Sequence, residues 1–199
     1  MNNNLLIIFT RNPELGKVKT RLATTIGDGA ALNIYTFLLQ HTFSITKDLP
    51  VVKQVHYSVK VRNQDIWDND IYTKTKQFGE GLGERMEFAF QEGFKQGFEN
   101  ITLIGSDMYD LSQDDLDAAF KALKNHNFVL GPAEDGGYYL IGMKKMKPQL
   151  FQNKKWGTDT VLKETLSNLK NESVQLLPIR NDIDYYEDIE GIEVFQQFL

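Results

Sequence analysis

The sequence predicts an α/β fold, a three-layer α/β/α sandwich around a mostly parallel, Rossmann-like sheet, in a single domain over residues 1–199. Three observations carry this. Short apolar runs alternate with segments of helical period, which implies crossover connections between parallel strands. The runs at 5–8 and 101–104 are nearly unbroken in apolar residues, as strands covered on both faces are. No repeat, low-complexity tract or linker divides the chain.

Each element follows in order. A first strand spans 5–9, and Ala31, Ile34, Tyr35, Leu38 and Ile45 then keep helical spacing. A second strand lies at 54–59, followed by a helix carrying Leu82, Met86, Phe90 and Phe94 on one face. The strand at 101–104 leads to a helix beginning near Gln113, for which Asp110 and Ser112 are both good caps. A strand at 127–130, a tight turn at Asp135-Gly136-Gly137 and an apolar run at 138–143 come next. Leu162, Leu166 and Leu169 mark a helix with Thr158 as its cap. An extended piece at 174–177 and a last helix over 186–198 complete the chain, with an antiparallel strand expected among these later elements. In open α/β sheets ligands bind beyond the carboxyl ends of strands, so the loops there hold the candidate residues.

Composition narrows the chemistry. With no cysteine there is no disulfide, thiolate metal site or cysteine nucleophile, and the three histidines lack ligand spacing. A metal here would be held by oxygen, as Mg2+ or Mn2+ is. No apolar run reaches the ~18 residues of a membrane span, and the start lacks a basic leader, so a cytoplasmic location is the expectation. A net charge of −5 argues against nucleic acid as a partner. The charge is unevenly spread: residues 11–21 hold four basic groups against Glu14 alone, while 107–117 and 182–193 hold five and six acids with no base. That pattern suits a phosphate ligand bridged by a divalent cation, and equally suits a solvated surface.

Four segments carry the chemistry. The loop after the first strand contains Arg11, Gly16, Lys19 and Arg21. It is rich enough in cations to clamp phosphates, although it is neither a Walker loop nor a dinucleotide fingerprint. Asp107, just past a buried strand, is placed to hold a hard cation against a diphosphate. The Asp135-Gly-Gly turn exposes backbone amides, and Asp135 is a candidate contact for a sugar or acceptor, with a general-base role on a hydroxyl. In an extended Asp182-Ile-Asp184 the two carboxylates share a side, as a metal pair would, yet Asp184-x-x-Glu187 also reads as a capping box. Arg85, near a helix start at Gly81-Leu-Gly, is either a phosphate or base contact or an exposed first-turn charge.

Several of these strings resemble a known family in order along the chain. They are Pro13-x-x-Gly16-x-Val-Lys19-Thr-Arg21-Leu22, Gly81-Leu-Gly-Glu-Arg-Met86, Leu103-Ile-Gly-Ser-Asp107-Met-Tyr-Asp-Leu111, Leu130-Gly-Pro-Ala-Glu-Asp135-Gly-Gly-Tyr-Tyr-Leu-Ile-Gly142, Trp156-Gly-Thr158 and Asp182-Ile-Asp-Tyr-Tyr-Glu-Asp188. Together they resemble a bacterial family of predicted glycosyltransferases, some associated with arsenosugar biosynthesis. These in turn are similar to GT-A nucleotide-diphospho-sugar transferases and to 2-phospho-lactate and molybdenum-cofactor guanylyltransferases. The resemblance implies a metal-dependent transfer of sugar from a nucleotide-diphosphate donor to a small-molecule acceptor. The alternative it implies is nucleotidyl transfer from an NTP, with release of pyrophosphate. By the same resemblance Lys19 and Arg21 hold nucleotide phosphates with Arg11 nearby, Asp107 binds Mg2+ or Mn2+, and Asp182 and Asp184 add ligands. One departure stands out: Met108 and Tyr109 replace the Cys-Pro common in that family, which in principle loosens the turn after Asp107.

Overall fold

A computed structural model describes residues 3–199. Seven strands form one sheet in the order β3-β2-β1-β4-β6-β5-β7. They are β1 (Asn4–Thr10), β2 (Val52–Tyr57), β3 (Tyr72–Lys76), β4 (Asn100–Gly105), β5 (Phe128–Pro132), β6 (Tyr138–Met143) and β7 (Val174–Leu176). All neighbours run parallel except at β6, which is antiparallel to both β4 and β5. The expected mostly parallel sheet with one antiparallel strand is present.

The helices are α1 (Thr20–Thr46), α2 (Leu82–Lys95), α3 (Gln113–Leu123), α4 (Val161–Asn168) and the short α5 (Glu193–Gln196). Leu5 to Ile8 are fully buried because β1 is central and covered on both faces. Leu6 and Ile8 join Tyr35 and Leu39 of α1 and Leu116 and Phe120 of α3 in one core. Leu5 and Ile7 point the other way, to Met86 and Phe90 of α2 and to the α4 side.

Several boundaries differ from the sequence expectation. The sequence pattern passes over β3, whose Tyr-Thr-Lys-Thr-Lys is polar because an edge strand needs little apolar surface. The α1 helix starts at Thr20 and bends at Gly27, where φ is 84° and ψ 158°. The expected long last helix is a 3₁₀ turn (Tyr186–Asp188) followed by α5. That C-terminal segment packs Ile183, Ile189 and Phe195 onto Leu22, Ile34 and Leu38 of α1, which draws the 182–184 acids toward the loop after β1.

A cleft centred on Asp107

The carboxyl ends of β1 and β4 meet in a hydrogen-bonded cluster. The Tyr35 hydroxyl, donating to the Arg11 carbonyl at 3.1 Å and accepting from its N–H at 2.9 Å, fixes the start of the cationic loop. Ser106 Oγ donates to Thr10 Oγ1 at 3.1 Å, tying the two strand ends together. Asn12 bonds the backbone at Val59 and Lys60, so the loops after β1 and β2 are held as one wall. Tyr35 and Asn12 escaped the sequence analysis: one reads as helix core and the other as loop filler.

Lys19 is the N-cap of α1 in the left-handed conformation, φ 46°. Its side chain is 4% exposed, and Nζ lies 2.7 Å from Asp107 Oδ2 and 3.4 Å from Asp184 Oδ1. Burial opposes the charge on Lys19, but Asp107, with Asp184 and Asp182 behind it, outweighs that and holds the ammonium above its ordinary pKa. For Asp107, burial likewise opposes the charge, and Lys19 followed by Arg11 pulls its pKa below the usual carboxylate value. Arg21 Nη1 reaches Asp184 Oδ2 at 2.9 Å, and its guanidinium lies 5.5 Å from the centroid of the Tyr185 ring.

The cap reading of Asp184 is corrected. Asp188 closes the following turn instead, its Oδ2 accepting from Asp184 N at 2.8 Å and Tyr185 N at 2.7 Å. The Asp184 side chain is thereby free to meet Lys19 and Arg21. Asp182 forms no hydrogen bond or ion pair among the described residues. Burial, followed by the charges of Asp184 and Asp135, pushes its pKa up to about 6. The segment itself is anchored by Arg180, which bonds both oxygens of Asp115 at 2.9 and 3.2 Å. Among the described residues no three His, Asp or Glu side chains are gathered as a metal-ligand group.

Two chambers open from Asp107. One, about 420 Å³, lies beyond β1 and β2 and is lined by Arg11, Arg85, Gln77, Ser58 and Glu80. Arg85 is held there by Gly79 O at 3.0 Å and Gln77 Oε1 at 3.4 Å. The other, about 280 Å³, lies toward β6 and the start of α4, and carries Asp135 and Asp182 on a wall otherwise dominated by apolar side chains. Among the described residues no Lys, Arg, His, Asn or Gln lines it. Phe9, Leu82, Gly105 and Asp107 border both chambers.

The glycine turn differs from expectation in one respect. Gly136, at φ 85°, has no room for a Cβ because the Asp159 carbonyl would sit 2.3 Å from it. The turn's amides, however, are not presented to a ligand: Gly136 N bonds Ala133 O at 3.2 Å and Gly137 N bonds Asp135 Oδ1 at 2.8 Å. Gly16, with φ 70°, sits against Asp28 and lines neither chamber. Thr158 bonds Lys155 O and Thr160 Oγ1 while Thr160 stands at the N-cap, so Thr158 is not the cap of α4. The turn after Asp107 is not loosened by the missing proline. Met108 is 5% exposed in the core, and Tyr109 packs between Phe37, His41 and Phe195.

A parallel-sheet core with one antiparallel strand and a cleft at the carboxyl ends of β1 and β4 is the architecture of nucleotide-diphospho-sugar transferases and nucleotidyltransferases. Residues 42–158 match the family DUF2064, described as "Uncharacterized protein conserved in bacteria", and the chain belongs to it. It is similar to the crystal structure of a candidate nucleotide-diphospho-sugar transferase from Desulfovibrio desulfuricans G20. Identity there is 29% and TM-score 0.86, covering 97% of this chain and 90% of that one. It shares its fold with a cytidylyltransferase from Leptospira borgpetersenii (15%, TM-score 0.60, covering 100% and 88%). It also does so with the inositol-1-phosphate CTP transferase from T. maritima (13%, 0.59, 99% and 95%). No curated protein matches the sequence. Among the described residues no helix is long and apolar enough to cross a membrane.

Proposed function

We propose that the chain is a glycosyltransferase that moves a sugar from a nucleoside-diphosphate donor to an acceptor hydroxyl. The observation that carries this is the asymmetry of the cleft, in which a chamber with Arg11 and Arg85 and a chamber without any cation meet at Asp107. A nucleoside-diphosphate sugar has the matching asymmetry, anionic at one end and neutral at the other. Nucleotidyl transfer to a phosphorylated acceptor would place an anion in each chamber, and the second offers an anion no side-chain cation. The name borne by the 29%-identical relative supports the same reading.

The residues fit a divalent cation in donor chemistry, since Mg2+ and Mn2+ take carboxylate oxygens, although among the described residues no three carboxylates are already gathered as a ligand group. Asp107, Asp135 and Asp182 line the cleft, and Asp184 stands behind them paired with Lys19 and Arg21. The unpartnered Asp182 is raised in pKa by burial first and then by the charges of Asp184 and Asp135, which a bound cation would relieve. Asp107 and Asp182 would hold Mg2+ or Mn2+, with Asp184 as a further ligand, and when bound the ion supplies Lewis-acid neutralisation of a diphosphate. Lys19 and Arg11 hold the diphosphate and stabilise the charge it gains as the bond from the sugar carbon to the phosphate oxygen breaks. Asp135 accepts the acceptor's hydroxyl proton as the new carbon–oxygen bond forms. Arg85 binds the nucleotide in the cationic chamber.

Incubation with nucleoside-diphosphate sugars and Mn2+ tests this by product analysis. Release of nucleoside diphosphate is expected. Release of pyrophosphate from nucleoside triphosphates instead would establish nucleotidyl transfer and overturn the reading.

A further inference from the structure

The wall of the cation-free chamber holds two polar groups that no protein atom uses. One is the hydroxyl of Tyr138, a residue that lines the chamber: its oxygen is buried and has no hydrogen-bond partner among the described residues. Burial holds its pKa above the ordinary phenol value, so the group stays neutral and can both donate and accept. The other is the Trp156 indole N–H, which rests beside Gly83 at the start of α2, 2.6 Å from where a Cβ would stand, and bonds nothing among the described residues. An unpaired buried hydroxyl costs stability that phenylalanine, filling the same space, would not. The Tyr138 ring packs onto the core formed by Met86, Leu103 and Phe151, a role that needs no oxygen. Its neighbour Tyr139 shows the contrast, with a hydroxyl that donates to Pro178 O at 3.0 Å.

We propose that Tyr138 reads the transferred sugar, its hydroxyl exchanging hydrogen bonds with a sugar hydroxyl once Trp156 moves aside. The inference rests on the glycosyl-transfer reading above and names a specificity-determining residue for it. Trp156 meets the Tyr138 ring edge to face at 6.3 Å and 85°. It belongs to residues 151–160, which form neither helix nor strand and take left-handed backbone at Asn153 (φ 56°) and Gly157 (φ 80°). Among the described residues no backbone N–H of 152–160 bonds a backbone carbonyl, so little holds this part of the wall in place. The chemistry is complementary to a sugar. Its C–H faces suit Met86, Leu103 and Ile141, and its hydroxyls donate to Asp135 and Asp182, carboxylates that can only accept. Tyr138 and Trp156 supply the donors that the sugar oxygens require. A sugar without the matching hydroxyl would leave Tyr138 unpaired in the complex, which is how such a site rejects it.

Calorimetric titration of the whole protein in Mn2+ with UDP, GDP, UDP-glucose and GDP-mannose, wild type against Tyr138→Phe, tests the inference. The readout is the Kd of each nucleotide sugar relative to that of its own diphosphate. For a sugar that wild type binds, Tyr138→Phe should shift this ratio about three- to tenfold against the sugar, the worth of one hydrogen bond, and leave the diphosphate affinity unchanged. The same substitution should raise the ligand-free Tm by about 2 °C or more, because it removes an unpaired buried oxygen. Trp67, the other tryptophan, is buried in the opposite core, so a change in tryptophan emission on adding the nucleotide sugar, and not the diphosphate, is expected from Trp156. A ratio shifted by less than about threefold, equal weakening of the diphosphates, or emission that is the same with sugar and diphosphate would overturn the inference. Sugar binding indifferent to Tyr138 defeats the inference alone, whereas failure of wild type to bind any nucleotide sugar defeats the glycosyl-transfer reading and the inference with it.

Discussion

The two sides of Asp107 are built by different means. On the side of β1, β2 and β3, parallel strands end in loops cross-linked by polar groups: Asn12 to the backbone at Val59 and Lys60, Tyr35 to Arg11, Arg85 to Gln77. On the side of β5 and β6, an antiparallel pair and the start of α4 enclose a mostly apolar wall that carries the carboxylates of Asp135 and Asp182. Charge and rigidity are concentrated on one side and shape on the other, as expected where a common anionic handle is joined to a more variable group.

If that division is right, the largest loss comes from removing the buried cation. Lys19→Met should lower kcat/KM by about 10²–10³-fold, the range for deleting a group that stabilises developing charge, and raise the apparent Kd for nucleoside diphosphates. A steady-state comparison with wild type checks it, and an effect on acceptor KM alone would place Lys19 on the wrong side.

The next effect concerns stability of the parallel half. His56 is buried between Phe9 and Gln54, and burial lowers its pKa from 6.5 to about 4. The unfolded chain therefore takes up this proton first as pH falls, so stability is lost progressively from pH 6.5 to about 4 and amounts to at most about 3 kcal/mol. Urea titrations at pH 7 and pH 4.5 should show a smaller acid loss in His56→Gln than in wild type.

A smaller gain is expected from Asp182→Asn. Relieving the repulsion at this carboxylate should raise the metal-free Tm by about 2–4 °C, equivalent to roughly 1 kcal/mol at this chain length, while abolishing stabilisation by Mn2+. Smallest is Arg21→Ala: the Arg21–Asp184 pair is solvent-exposed on the arginine side, so stability should change by under about 1 kcal/mol. Thermal melts with EDTA and with Mn2+ measure both.

The sequence showed the central strands and the charged residues of the cleft because each has a local cause. β1 and β4 contain nearly unbroken apolar runs, and Lys19, Asp107, Asp135 and Asp182 are charged residues in the segments that follow strands. What it hid depends on contacts distant in the chain. Whether Asp184 caps a turn or faces Lys19 is decided by Asp188 and by the packing of Ile183 onto α1. The hydroxyl of Tyr35 acts from a position whose spacing reads only as core. β3 shows no apolar alternation because it borders the sheet.

The central claim is that Asp107 joins an anion-binding chamber to a cation-free one through a divalent ion. Calorimetric titration of wild type and Asp107→Asn with UDP-glucose and GDP-mannose, in Mn2+ and in EDTA, measures it most directly. The account predicts that at least one of the two sugars binds wild type only with Mn2+, and at least 100-fold more weakly to Asp107→Asn. Equal affinity in EDTA, or equal affinity for the two proteins, would contradict it.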